Sequence, residues 1–246
     1  MSAGMNIRKR SEPTTSLDPR PSSEWAGILK AGVQAQRLVP GAVCVGGKAA
    51  VLYAGHRVSL GTDHLVPCLR ESFAEVRAWL ETQPDWKTAR VNPPVLILGS
   101  IGGVEVGFRQ LKRSLPIETQ VVPTEAGPLV VPTLDEMIGM KAFLCYDRNA
   151  TRDYLDFAAL SECASPQAVL KALLKLDTRY GSLQSNSVGL EVAKALCAAT
   201  PFDLDELELP LYKGLGEKWH RWEATRTICH HFGVLLGEAL VKGEQQ

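Results

Sequence analysis

Excess charge of one sign is missing from this sequence: 27 lysines and arginines stand against 27 aspartates and glutamates, a formal net charge of zero. That argues against a protein that coats nucleic acid through bulk charge, while leaving room for a local basic patch. Long apolar runs are missing too. No window approaches the ~18 consecutive apolar residues of a membrane span, so no membrane partner is expected. The six cysteines (Cys44, Cys68, Cys145, Cys163, Cys197 and Cys229) include no Cys-x-x-Cys pair and lie scattered in apolar segments. This is the pattern of reduced core thiols, and the expected location is cytoplasmic. The N-terminus also lacks the apolar stretch of a signal peptide. What is present is ordinary: 246 residues, 45% apolar and 22% charged, enough for a full core in one or two domains.

Residues 1–23 carry Arg8-Lys9-Arg10 among Ser, Thr and Pro and read as a disordered tail. A first helix is expected over 24–38, with Ser23 as N-cap and Pro40 as the stop. A short strand at 42–45 leads into Gly46-Gly47, a short helix over 48–54 closed by Gly55, and a strand within 56–66. Residues 69–83 read as an amphipathic helix with Phe73, Val76 and Leu80 on one stripe. The apolar run 95–98 reads as a buried strand, Gly102-Gly103 as a hairpin turn into 104–111, and 117–122 and 129–131 as two more strands. After Thr133, which has capping-box spacing to Glu136, the chain reads as helices at 134–148, 152–163, 166–177, 188–199 and 219–240. The expected fold is therefore α+β: a small mixed β-sheet flanked by helices over 24–132, then a C-terminal helical region over 133–246.

Two segments carry chemistry. In the first, Gly46-Gly47 precedes a helix N-terminus, where free N–H groups and a partial positive charge suit phosphate. A plain turn accounts for the same glycines. Lys48, in the first turn, either contacts phosphate or points to water. The following strand, His56-Arg57-Val58-Ser59-Leu60-Gly61-Thr62-Asp63-His64-Leu65, places Asp63 on one face and His64 on the other. In the second segment, Lys141, Arg148 and Arg152 fall on one face of a continuous helix, interleaved with Asp147, Asp153 and Asp156. A solvated, salt-bridged face explains this run taken alone. His220, His230 and His231, with Trp219 and Trp222, read as a packed or partner-facing last helix, and Asp203-Leu-Asp-Glu-Leu-Glu208 as a solvated acidic run.

Taken in order, the segments resemble the two signatures of AbiEii/AbiGii-type nucleotidyltransferases, a family that includes toxins of bacterial toxin–antitoxin pairs. The first signature is Gly-Gly leading into an Asp-x-Asp strand, here with Gly61 in the first carboxylate position and Asp63 in the second. The second is Lys141, Arg148 and the Arg152-Asp153-Tyr-Leu-Asp156 helix. The resemblance covers roughly residues 38–163.

It implies a metal-dependent transfer of a nucleoside monophosphate from a nucleoside triphosphate to a hydroxyl acceptor. Gly46, Gly47, Lys48, Ser59, Arg148 and Arg152 would bind nucleotide, and Asp63, Lys141 and Glu118 would be catalytic. Asp63 and Glu118 would hold Mg2+ (or Mn2+), with Glu105 the runner-up to Glu118. Asp153 and Asp156 would orient the cations. An RNA end, a protein side chain or a small molecule is the expected acceptor, met by Arg57, Arg109, Lys112 and Arg113 where these are not plain surface charges, and a cognate antitoxin is an expected partner. Because Gly61 cannot ligate a metal, a catalytically degenerate nucleotide- or partner-binding module of the same fold is the alternative. An interaction protein that binds through its helical half is a third reading.

Overall fold

The computed structural model describes residues 23–183 and 186–243. The expected tail over 1–23 therefore lies outside the described residues, apart from Ser23. Helix α1 (Ser23–Leu38) ends before Pro40, whose ring cannot continue a helix. Strand β1 (Val43–Val45) passes directly into α2 (Gly46–Ala54), two residues earlier than the sequence suggests. Gly55, at φ 58°, closes α2 in the left-handed region. Strand β2 (Thr62–Val66) and α3 (Leu69–Glu81) follow, then β3 (Trp86–Asn92), β4 (Leu96–Ile101) and β5 (Val104–Gln110).

These five strands form one mixed sheet in the order β1-β2-β5-β4-β3. Strand β2 pairs parallel with β5, and all the other pairs are antiparallel. One sheet face buries Val66, Ile97, Ile101, Val106 and Phe108 against Ala31 and Ala35 of α1 and Leu69, Phe73 and Leu80 of α3. Because strand side chains alternate, Asp63, Glu105 and Arg109 lie on the opposite face. A hairpin of β6 (Thr119–Thr124) and β7 (Gly127–Pro132) leads to the helical region.

That region comprises α4 (Leu134–Asp147), α5 (Thr151–Ser161), α6 (Pro166–Leu173), α7 (Leu176–Tyr180), α8 (Val188–Ala198) and α9 (Trp222–Gly243). Its core is continuous with Cys44 of β1, Ala49 and Ala50 of α2, and Leu129 and Val131 of β7. The α+β architecture expected from the sequence is the one observed. Strand β3 was not foreseen, the expected 166–177 helix is two helices, and α9 starts at Trp222 after a 3-10 turn over Glu217–His220.

Candidate nucleotide site

The chain reverses at Gly46, whose φ of 67° favours glycine. A side chain there would lie 3.5 Å from Asp63 Oδ2, because Val45 pairs with Asp63 across β1 and β2. The α2 N-terminus is thereby set beside the Asp63 carboxylate. Gly47 has a different reason to be glycine. The Arg57 guanidinium packs onto its Cα, and an added methyl would overlap that group, with Cζ at 3.1 Å. Gly107, opposite Asp63 on β5, is also a close approach: a Cβ there would meet Asp63 Oδ1 at 2.6 Å and Leu98 Cδ2 at 3.0 Å.

Asp63 is half-exposed and accepts from Arg109 Nε at 3.2 Å through Oδ1. Gly61 lies one step beyond the β2–β5 ladder, opposite Glu105. The space a residue-61 side chain would enter is bounded by the Glu105 carbonyl at 3.2 Å and its Cβ at 3.4 Å. Glu105 thus stands on the same sheet face as Asp63, beside Gly61. Ser59 donates to the Gly61 carbonyl at 3.3 Å and so shapes the approach to β2.

The segment from Lys141 to Asp156 forms a buried ionic cluster. Asp156, with no exposed surface, receives His56 Nε2 at 2.7 Å, Arg57 through Nε at 2.7 Å and Nη2 at 3.0 Å, and Lys141 Nζ at 2.7 Å. Lys141 Nζ also donates to Asp153 at 2.8 Å, and Arg148 reaches Asp153 at 3.1 Å. Burial pushes the Asp156 carboxyl up, but Lys141, Arg57 and His56 outweigh it and hold the group well below the usual range. Burial pulls Lys141 down, but Asp156 and Asp153 outweigh it and hold the ammonium above the usual lysine value. Lys141, Arg57 and Arg148 thus share the two carboxylates, and of the three it is Arg57 that packs against the glycine turn.

Several expected positions fall elsewhere. Glu118 turns toward Arg179 at 3.2 Å and Lys175 at 3.7 Å, in an ionic group with Asp135, and no contact joins it to Asp63. Lys48 points inward, not to water. It is 1% exposed, its Nζ lies 3.4 Å from the Trp25 ring centroid, and burial lowers its pKa to about 7. Arg152 is exposed on the first turn of α5. His64 lies on the face opposite Asp63, fully buried with its ring 5.6 Å from Phe108, and burial lowers its pKa to about 4.

Thr133 caps α4 by accepting from Glu136 N at 3.3 Å. The Glu136 carboxylate instead meets Arg113 at 2.8 Å and Arg179 at 3.4 Å, so the capping box is only half made. The sequence reading missed His56 and Arg57 as partners of Asp156, and Arg109 as the partner of Asp63. The only signal for them is a basic pair just before the strand and a cation two residues beyond Gly107.

No family model matches the chain. The chain is 26% identical over 234 residues to the heme uptake protein MmpL11 of Mycobacterium tuberculosis (strain ATCC 25618 / H37Rv), a match that covers 89% of the chain. It spans only 23% of that relative's length. Among solved structures it is similar to an antigenic nucleotidyltransferase-like protein from Paracoccidioides brasiliensis, at 17% identity and TM-score 0.45, covering 66% of this chain and 91% of that one. It is also similar to ANT(2")-Ia in complex with adenylyl-2"-tobramycin, at 13% identity and TM-score 0.48, covering 65% and 99%. A putative nucleotidyltransferase from H. pylori aligns over 89% of this chain and 95% of its own, at 16% identity and TM-score 0.45.

Proposed function

We propose that the protein is a nucleotidyltransferase that moves a nucleoside monophosphate from a nucleoside triphosphate to a hydroxyl acceptor. The observation that carries this reading is the placement of Asp63 against Gly46 where α2 begins, with the Arg57 guanidinium on Gly47. The free N–H groups of the helix end, together with the Arg57 guanidinium against Gly47, suit a triphosphate. Lys141 acts through Asp153 and Asp156 in this account, holding Arg57 in place. Lys48 packs under the α2 start against Trp25, Ser59 holds the approach to β2, and Arg148 and Arg152 are the exposed cations of the α4–α5 segment.

Among the described residues no group of three acidic, His or Cys side chains is disposed to hold a metal ion. A magnesium ion does not need one, because it is commonly held by one or two carboxylates with substrate phosphates completing its shell. Asp63 and Glu105, on one sheet face with Gly107 leaving room between the strands, fit that role. The ion, when bound, would neutralise charge on the reacting phosphate and lower the barrier to hydroxyl attack. Arg109 must leave Asp63 Oδ1 for both carboxylate oxygens to serve. Glu118 replaces Glu105 in this scheme only if the β6 approach rearranges.

A second reading, a degenerate nucleotide-binding module, is favoured by Gly61 and by the Arg109–Asp63 pair. A toxin-type role, with a cognate antitoxin and a cytoplasmic site of action, is the finer form of the proposal. No described helix is long and apolar enough to cross a membrane.

Each α-labelled nucleoside triphosphate, with Mg2+ or Mn2+ and total bacterial RNA and protein, tests the assignment. The transferase reading expects label on one acceptor class with wild type and none with Asp63→Ala. Label transferred equally by Asp63→Ala overturns it, and no transfer with metal-dependent nucleotide binding intact moves the assignment to the degenerate module.

A further inference from the structure

The segment 202–211 exposes three large apolar side chains: Phe202 at 76%, Leu207 at 87% and Leu211 at 79%. Isolated exposed leucines are common, but three large apolar side chains exposed within ten residues of one fixed loop are more than that. The loop is fixed at both ends. Phe202 N donates to the Asn149 carbonyl at 3.0 Å, and Asp203 accepts from the amide and hydroxyl of Thr151 at 2.7 and 2.8 Å. Leu209 is fully buried in the helical core, and Leu204 packs against that core. Beyond the loop, Val58 N donates to the Lys213 carbonyl and Gly216 N to the His56 carbonyl, both at 2.9 Å. The side chains are therefore held out in water by an ordered backbone.

The loop is also acidic. Asp203, Asp205, Glu206 and Glu208 interleave with the apolar residues and are exposed. Asp205 caps the Leu207 amide at 2.9 Å, and among the described residues neither it nor Glu206 nor Glu208 has an ion-pair partner. Lys213, just beyond the loop, is taken by Glu24, and Arg152, next to the Thr151 that holds Asp203, is the exposed cation on the side of α5. The segment 200–212 contains no strand, so it offers no edge for an extended peptide to join.

We infer that this loop docks a basic amphipathic helix of a second protein, with apolar residues received by Phe202, Leu207 and Leu211 and flanking lysines or arginines by the four acids. The His56 and Val58 hydrogen bonds tie the chain just after the loop to the segment that carries Arg57. The inference is independent of the nucleotide reading, since it rests on this loop alone.

The test uses the full chain and a synthetic 18-residue helix carrying a leucine stripe flanked by lysines, read by fluorescence anisotropy. Its twin carries glutamates in place of the lysines. Wild type is expected to bind the basic helix about tenfold more tightly than the combined Phe202→Ser, Leu207→Ser and Leu211→Ser variant. Binding should weaken between ~50 and ~500 mM salt, and the acidic twin should not bind. An unchanged melting temperature in the variant would show that it folds. No binding by wild type, equal binding by the variant, or equal binding of the acidic twin overturns the inference. So does a concentration-dependent dimer that the variant abolishes, which would assign the surface to a second copy.

Discussion

Gly46 and Gly47 are adjacent but answer to different forces, and substitutions should separate them. At Gly46 the constraint is backbone, with φ at 67°, so Gly46→Ala should cost about 1–2 kcal/mol in chemical denaturation while leaving Arg57 in place. At Gly47 the constraint is space. Gly47→Ala pushes the Arg57 guanidinium off its seat, and overpacking of this kind costs about 1–3 kcal/mol. The turn itself was legible in the sequence, but the reason for Gly47 was not, because its partner lies ten residues on and is set by Asp156. Gly61 is the residue that most limits the proposed chemistry. Its φ is not left-handed, and the nearest obstacle is the Glu105 carbonyl at 3.2 Å. Gly61→Asp is expected to raise Mn2+ affinity about tenfold or more by titration calorimetry, given that metal contacts to charge are worth several kcal/mol. Unchanged affinity would contradict the placement of the metal on this face.

At the scale of elements, α4 and α5 are joined by an ion cluster that the sequence displayed as charges but not as a buried network. Periodicity placed Lys141, Arg148 and Arg152 on one face, which is true only of a continuous helix. The break at Asn149, with φ 48°, turns Asp153 and Asp156 back toward Lys141. Lys141→Ala removes the buried cation that Asp153 and Asp156 share, leaving Arg148 on the first and His56 and Arg57 on the second, so a loss at the lower end of about 3–5 kcal/mol is expected in denaturant titration. The depressed Asp156 value makes that contribution full above the unfolded carboxylate range, near pH ~4, and lost as the pH falls through the folded value.

Lys48 runs the other way. Its folded value of about 7 lies below the ordinary 10.5, so the unfolded chain holds the proton between those values and stability should rise with pH across that window. Lys48→Met should remove the rise, gaining most over wild type at and below pH ~7. Parallel stability–pH curves for the two proteins would contradict this. Strand β3 shows a limit of pattern reading. It is an edge strand with Lys87, Thr88, Ala89 and Arg90 all exposed, so it lacks the alternation that marks a half-buried strand. Strand β4, by contrast, alternates burial and was legible from Val95–Leu98.

Across the whole molecule, the β-rich half and the helical half meet through α2 and β7, and the candidate site lies at that junction. The sheet supplies Asp63, Glu105 and Arg109, α2 supplies the turn, and α4 and α5 fix Arg57 from behind. The family resemblance implied a site beside the glycine turn, and the β1–β2 pairing sets Asp63 against Gly46 there. Glu118 was misplaced by the sequence reading. Position just before a hairpin carries no register information, and Arg179, sixty-one residues away in sequence, captures its carboxylate. The account stands on nucleotide binding at the Gly46–Asp63 corner. A titration of non-hydrolysable nucleoside triphosphate in Mn2+ measures this directly, with wild type, Asp63→Ala and a metal-free control. The account predicts metal-dependent binding that weakens at least about tenfold in Asp63→Ala. Binding that ignores both the metal and Asp63, or no binding of any nucleoside triphosphate, would contradict it.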